Sequence, residues 1–161
     1  MKSLRFSSLV LLFFTLGCVA VKDPGTQWES PFTGSFEKAL FKTSLDIREN
    51  HLSGYTLVKK TADSTYHIIF SNEIGMTIYD FELYPDRFKV NYLFEPMNKK
   101  VMVKMFERDF RLLIYGVMGS RQNFLTKTII LSEKGRDTWP GKIILTNPGI
   151  KLKLQLRHMT L

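Results

Sequence analysis

Hydrophobic and polar positions alternate with a period of two along most of the chain after residue 40. Phe41, Thr43, Leu45 and Ile47 fall on one side of a strand spanning Phe41–Arg48. Further short β-branched or aromatic runs follow at Gly54–Lys59, Thr65–Ser71, Ile74–Leu83 and Arg87–Leu93, with Phe88, Val90 and Tyr92 on one side of the last. Their lengths and the turn residues between them predict an antiparallel meander. Two more strands are expected at Asn123–Leu131 and Lys142–Thr146. Near the end, Ile150, Leu152, Leu154 and Leu156 alternate with Lys151, Lys153, Gln155 and Arg157. Asn147-Pro148-Gly149 stands just before this run and predicts a hairpin.

One segment departs from that period. After Pro96, the stretch Met97–Tyr115 places Val101, Met102, Met105, Phe106, Leu112 and Leu113 at helical spacing, with Gly116 as a stop. Asp109 falls within the apolar stripe and needs a partner or an exposed end. A strand beginning at Phe110 is the competing reading of the second half, and a short helix over Ser35–Leu40 is allowed before the first strand. The pattern predicts a mainly β, α+β domain: a curved sheet or unclosed antiparallel β-barrel with one helix covering its concave face. A closed barrel is the neighbouring alternative.

The first 34 residues follow different rules. Lys2 and Arg5 precede an apolar run from Leu9 to Leu16, much shorter than the ~20 residues of a membrane-spanning helix. A basic start, a short apolar stretch and a small residue describe an export signal. It ends Thr15-Leu16-Gly17-Cys18, which resembles the lipobox of bacterial lipoproteins, with Thr15 where Leu is usual. Cys18 is the chain's single cysteine, so an internal disulfide is excluded. The expected organisation is a signal peptide over 1–17, a lipid-anchored tether over 18–34 carrying Pro24, Gly25, Pro31 and Gly34, and a folded domain over 35–161. Stable anchoring needs more than one acyl chain, each buried methylene contributing ~0.8 kcal/mol.

Composition adds a charge argument. The 161 residues carry a formal +8, from 23 Lys and Arg against 15 Asp and Glu. Without Lys2 and Arg5 the charge is +6. Export makes nucleic acid an unexpected partner; anionic headgroups or a merely soluble basic surface account for the remainder equally well. Nothing in the pattern points to catalysis. His51, His67 and His158 are scattered, without a second ligand at metal spacing. No nucleophile elbow or phosphate-binding glycine loop occurs, and Asp80, Glu82, Asp86 and Glu95 make no acid–base pair by spacing. No enzyme activity, metal or cofactor is expected.

Two segments carry a resemblance. Tyr66–Leu83, YHIIFSNEIGMTIYDFEL, resembles a strand–loop–strand of the LolB family, whose loop reads Asn-Pro-Leu-Gly. Lys142–Arg157, KIILTNPGIKLKLQLR, resembles that family's C-terminal hairpin. Glu73 replaces the family's Pro, and the final Arg157-His158-Met159 lacks its aromatic residue. The resemblance implies an outer-membrane lipoprotein facing the periplasm. Such a protein receives lipoproteins from a soluble LolA-like carrier and inserts them into the membrane. A monomer is expected. The resemblance places the membrane-insertion loop at Glu73, Ile74 and Gly75, with Ile74 as the exposed apolar residue; on the pattern alone Ile74 begins the next strand equally well. It also implies an acyl-chain cavity. By alternation Tyr55, Leu57, Ile68, Phe70, Met76, Ile78, Val90 and Tyr92 face inward, under Met102, Met105 and Phe106. The same stripes describe a packed core. The readings left open are therefore an acceptor of lipoproteins, a structural or interaction lipoprotein with a filled core, and a binder of small lipophiles.

Overall fold

In a computed structural model, residues 36–115, 131–134 and 140–160 are described. The lipobox with Cys18, the signal and tether segments, Gly116 and all but the last residue of the expected strand Asn123–Leu131 lie outside them. Five strands come first: β1 Lys38–Ile47, β2 Asn50–Ala62, β3 Thr65–Asn72, β4 Thr77–Leu83 and β5 Phe88–Leu93. A 3₁₀ turn, Glu95–Met97, leads into the helix α1, Lys100–Tyr115; β6 Leu131–Lys134, β7 Pro140–Asn147 and β8 Leu152–Met159 complete the chain. All pairings are antiparallel, in the order β5-β4-β3-β2-β1-β8-β7-β6. The sheet is not closed: β5 and β6 end the order without pairing to each other. The architecture is α+β, a largely antiparallel sheet with one helix, and fits a curved sheet.

Of the short helix expected over Ser35–Leu40, the described residues Phe36–Leu40 form none, since β1 begins at Lys38 and its register with β2 runs unbroken from Lys38–Lys59 to Ile47–Asn50. The backbone gains more bonds as a ladder than one helical turn offers. The segment from Phe110 stays helical to Tyr115. The expected C-terminal hairpin is present: Pro148–Ile150 make a 3₁₀ turn, and Lys151 takes the left-handed conformation at φ +52°.

One face of the sheet and the inner side of α1 share a core dense in aromatic rings. Tyr79 and Phe81, two residues apart on β4, stack with centroids 4.8 Å apart. Phe106 of α1 lies 5.3 Å from Tyr79 and 5.4 Å from Phe81, and Phe110 lies 5.8 Å from Tyr79. All four side chains are fully buried. Burying each ring removes a large apolar area from water, and tilted ring pairs add ~0.5–1.5 kcal/mol each.

Polar groups within this core find partners. Thr43 and Thr56 hydroxyls bond at 2.8 Å, and Thr56 also meets the Tyr79 hydroxyl at 3.2 Å. Desolvation pushes the Tyr79 phenol well above its ordinary range. Asp109, buried on α1, accepts 2.6 Å from the Asn147 amide and 3.1 Å from Arg108 Nη2, and Arg108 also bonds Asn147 Oδ1. The carboxylate in the apolar stripe thus ties α1 to the end of β7. Further toward the C-terminus of the helix, Arg111 donates to the carbonyls of Tyr84 and Pro85, and Tyr115 donates 2.6 Å to that of Ser64.

Candidate functional site: the β3–β4 tip and the buried face

The tip between β3 and β4 is a tightly bonded turn. Asn72 holds it from three atoms: its backbone N–H donates 2.9 Å to Met76 O, its carbonyl accepts 3.0 Å from Gly75, and its side-chain oxygen accepts 2.8 Å from Met76 N. Gly75 has φ +85°, a conformation costly for a side-chain-bearing residue. Glu73 accepts 3.1 Å from the Ser53 hydroxyl of β2. These bonds leave Ile74 projecting outward with 88 % of its surface exposed. The reading in which Ile74 starts the next strand is overturned, because β4 pairing begins at Thr77, opposite Ser71.

Gly54 is a second requirement that pattern reading missed. It sits opposite Asn72 in β2, directly beneath the tip, and a Cβ there would lie 2.0 Å from the Ser71 carbonyl oxygen. Only glycine lets β3 approach β2 so closely at this point.

The residues expected to line a cavity divide between the two faces. Ile68, Phe70, Met102, Met105 and Phe106 are buried in the shared core, Ile78 is fully buried, and Val90 packs partly buried against it. Tyr55 and Leu57 do not face inward. In β2 the inward positions are Gly54, Thr56 and Val58, and the alternation puts Tyr55, 42 % exposed, and Leu57 on the opposite face. Tyr92 is also outward. A bulge pairs Asp80 with Tyr92 but Phe81 with Val90, so the period breaks at Asn91. A similar irregularity, with Phe70 opposite Tyr79 and Ser71 opposite Thr77, leaves Ile78 as the extra residue in β4. Met76 belongs to the tip and is exposed.

Tyr79, Phe81, Leu83, Val58 and Phe110 belong to the core shared by the sheet and α1 and were not expected there, whereas Leu113 of the expected apolar stripe is buried with them. The apolar i, i+2 series Tyr79, Phe81, Leu83 was a usable signal, obscured by reading the strand from Ile74, which set Met76 and Ile78 inward. Where a cavity was expected, Tyr79, Phe81, Phe106 and Phe110 make ring contacts with one another. A shallow open recess of about 250 Å³ lies elsewhere, at the opposite end of the sheet from Ile74, lined by Phe36, Glu37 and residues 60–63.

The outer face carries a polar cluster on β3, β4 and β5. His67 meets Asp80 at 2.8 Å, and Asn91 donates 2.9 Å to both Asp80 and Glu82. Glu82 also accepts from Tyr84 and, at 3.1 Å, from Lys89. Bonds from Tyr84, Asn91 and Lys89, in that order of weight, hold the Glu82 carboxyl down to about 2. Among the described residues no group of three or more His, Cys, Asp or Glu could hold a metal ion, and no helix is long and apolar enough to cross a membrane. Compared with protein-family models and with curated proteins, the chain matches none.

Proposed function

We propose that this chain is a LolB-like lipoprotein, anchored through Cys18, that accepts lipidated proteins and passes their acyl chains into the outer membrane. In this reading the sheet is an unclosed barrel and α1 lies over its concave face. The observation that carries the proposal is Ile74. A branched apolar side chain fixed at a hairpin tip with 88 % of its surface in water gains free energy only by entering lipid or a partner. Acyl transfer needs no covalent chemistry, only a graded increase in apolar burial.

A reading with a filled core is favoured by one specific observation, the aromatic contacts between α1 and β4. There the protein is an interaction lipoprotein of the envelope, and its tip docks without an acyl-binding interior. Displacement of a fluorescent fatty acid separates the two. Saturable binding supports the acceptor, and absence of binding by the folded protein supports the filled-core reading. For the acceptor itself, vesicles bearing the anchored protein should speed insertion of a palmitoylated test protein. Insertion no faster than into bare vesicles overturns it.

A further inference from the structure

The outer face of the sheet, away from α1, has an order that the proposed function does not use. Across β3, β2, β1 and β8, the outward residues Ile69, Leu57, Leu40 and Met159 stand in register as one half-buried apolar row. Two residues along each strand on one side, Lys38 stands directly opposite Lys59. Two residues along on the other side, Lys42 stands opposite Arg157 and beside the exposed Tyr55. All four of these cations are exposed.

Like charges placed directly across a ladder repel, and an ordinary sheet surface alternates signs there. Here the acids of the same face are already engaged: Asp46 of β1 by His51, and Asp80 and Glu82 of β4 by His67, Asn91, Tyr84 and Lys89. Among the described residues no ion pair reaches Lys38, Lys42, Lys59 or Arg157. An apolar strip bordered by two cationic pairs suits a flat, negatively charged, partly apolar surface.

The position of the anchor selects which surface. Lys38, where β1 begins, pairs near the Ala62–Thr65 turn, at the opposite end of the sheet from Ile74. The segment from Cys18 to Ser35 spans at most about 60 Å, and the eight residues of β3 separate the two ends by about 27 Å. Lying on its outer face, the domain brings the anchored end and the Ile74 end to one bilayer together.

We infer that the outer face of β2, β1 and β8 is a docking surface for anionic phospholipid headgroups, holding the anchored domain flat on the leaflet. The inference rests on the anchoring part of the proposed function. Its test reads amine labelling of the acylated protein reconstituted in phosphatidylcholine vesicles, with or without 30 mol % phosphatidylglycerol. With phosphatidylglycerol, Lys38, Lys42 and Lys59 should label about 5-fold more slowly, and 0.5 M salt should restore the rate. Lys104 on α1 serves as the unchanged reference. Charge reversal by Lys42→Glu with Arg157→Glu should abolish protection of Lys38 and Lys59. Equal labelling in both vesicles overturns the docking surface while leaving the anchor standing. Protection by a soluble acidic polypeptide, but not by anionic vesicles, overturns it in favour of a protein partner. Failure of the protein to acquire acyl chains at Cys18 overturns the anchor itself, and the docking inference with it.

Discussion

The two faces of this sheet are built from the same strands and similar residue types, yet they do different things. On the helix side, Tyr79, Phe81, Phe106 and Phe110 interlock, and the polar atoms present are paired. On the outer side, leucines and a tyrosine sit half in water between cations that face each other. One face is organised to exclude water. The other leaves apolar and cationic groups open to solvent. The comparison shows that alternation identifies two faces without saying which is inside; that is settled by the element that packs against one of them.

Truncating one apolar side chain on each face separates the two. Phe81→Ala should lower stability by about 3–5 kcal/mol, whereas Leu57→Ala on the outer face should cost less than half as much. Equal losses in urea unfolding would mean that the outer face is also covered. Gly54→Ala tests the seam beneath the tip. The new methyl meets backbone at 2.0 Å, so a cost of about 1–3 kcal/mol is expected, and an unchanged midpoint would contradict the close approach.

The outer polar cluster gives a pH signature. Glu82 has a folded value near 2 against 4.5 when unperturbed, so its bonds stabilise the fold fully above about pH 5 and lose that effect as pH falls toward 2. Glu82→Gln should therefore be less stable than the parent at pH 7 and approach it near pH 2. A difference that does not change with pH would place the effect elsewhere.

The smallest expected change in stability is at the tip. Ile74→Glu should shift unfolding by no more than about 0.5 kcal/mol and abolish lipoprotein insertion. Normal insertion by that variant would remove Ile74 from the mechanism.

Much of the architecture was legible. β1 and β8 each expose one parity to water and bury the other, so their strand period is plain, and the apolar stripe of α1 is framed by charges at Lys100, Lys104, Glu107 and Arg111. β2 was not legible in the same way. Leu57 and Val58 are adjacent apolar residues, and the inward set includes Gly54 and Thr56, whose polarity or smallness suggested the outside. Thr56 is inside because Thr43 and Tyr79 satisfy its hydroxyl. Register breaks at Ile78 and Asn91 cannot be seen in a period, since one extra residue flips everything beyond it. The exposure of Ile74 depended on such a register.

By itself the sequence determined the strand-rich class, the helix after Pro96 and the turn at Asn147-Pro148-Gly149, because these rest on local backbone preference and short-range periodicity. The tertiary structure decided the strand order that seats β8 beside β1, the pairing of Asp109 with Asn147, and which face of β2 is buried. Those outcomes depend on groups far apart in the chain, whose contacts acquire their free energy only when the whole sheet and α1 have excluded water together.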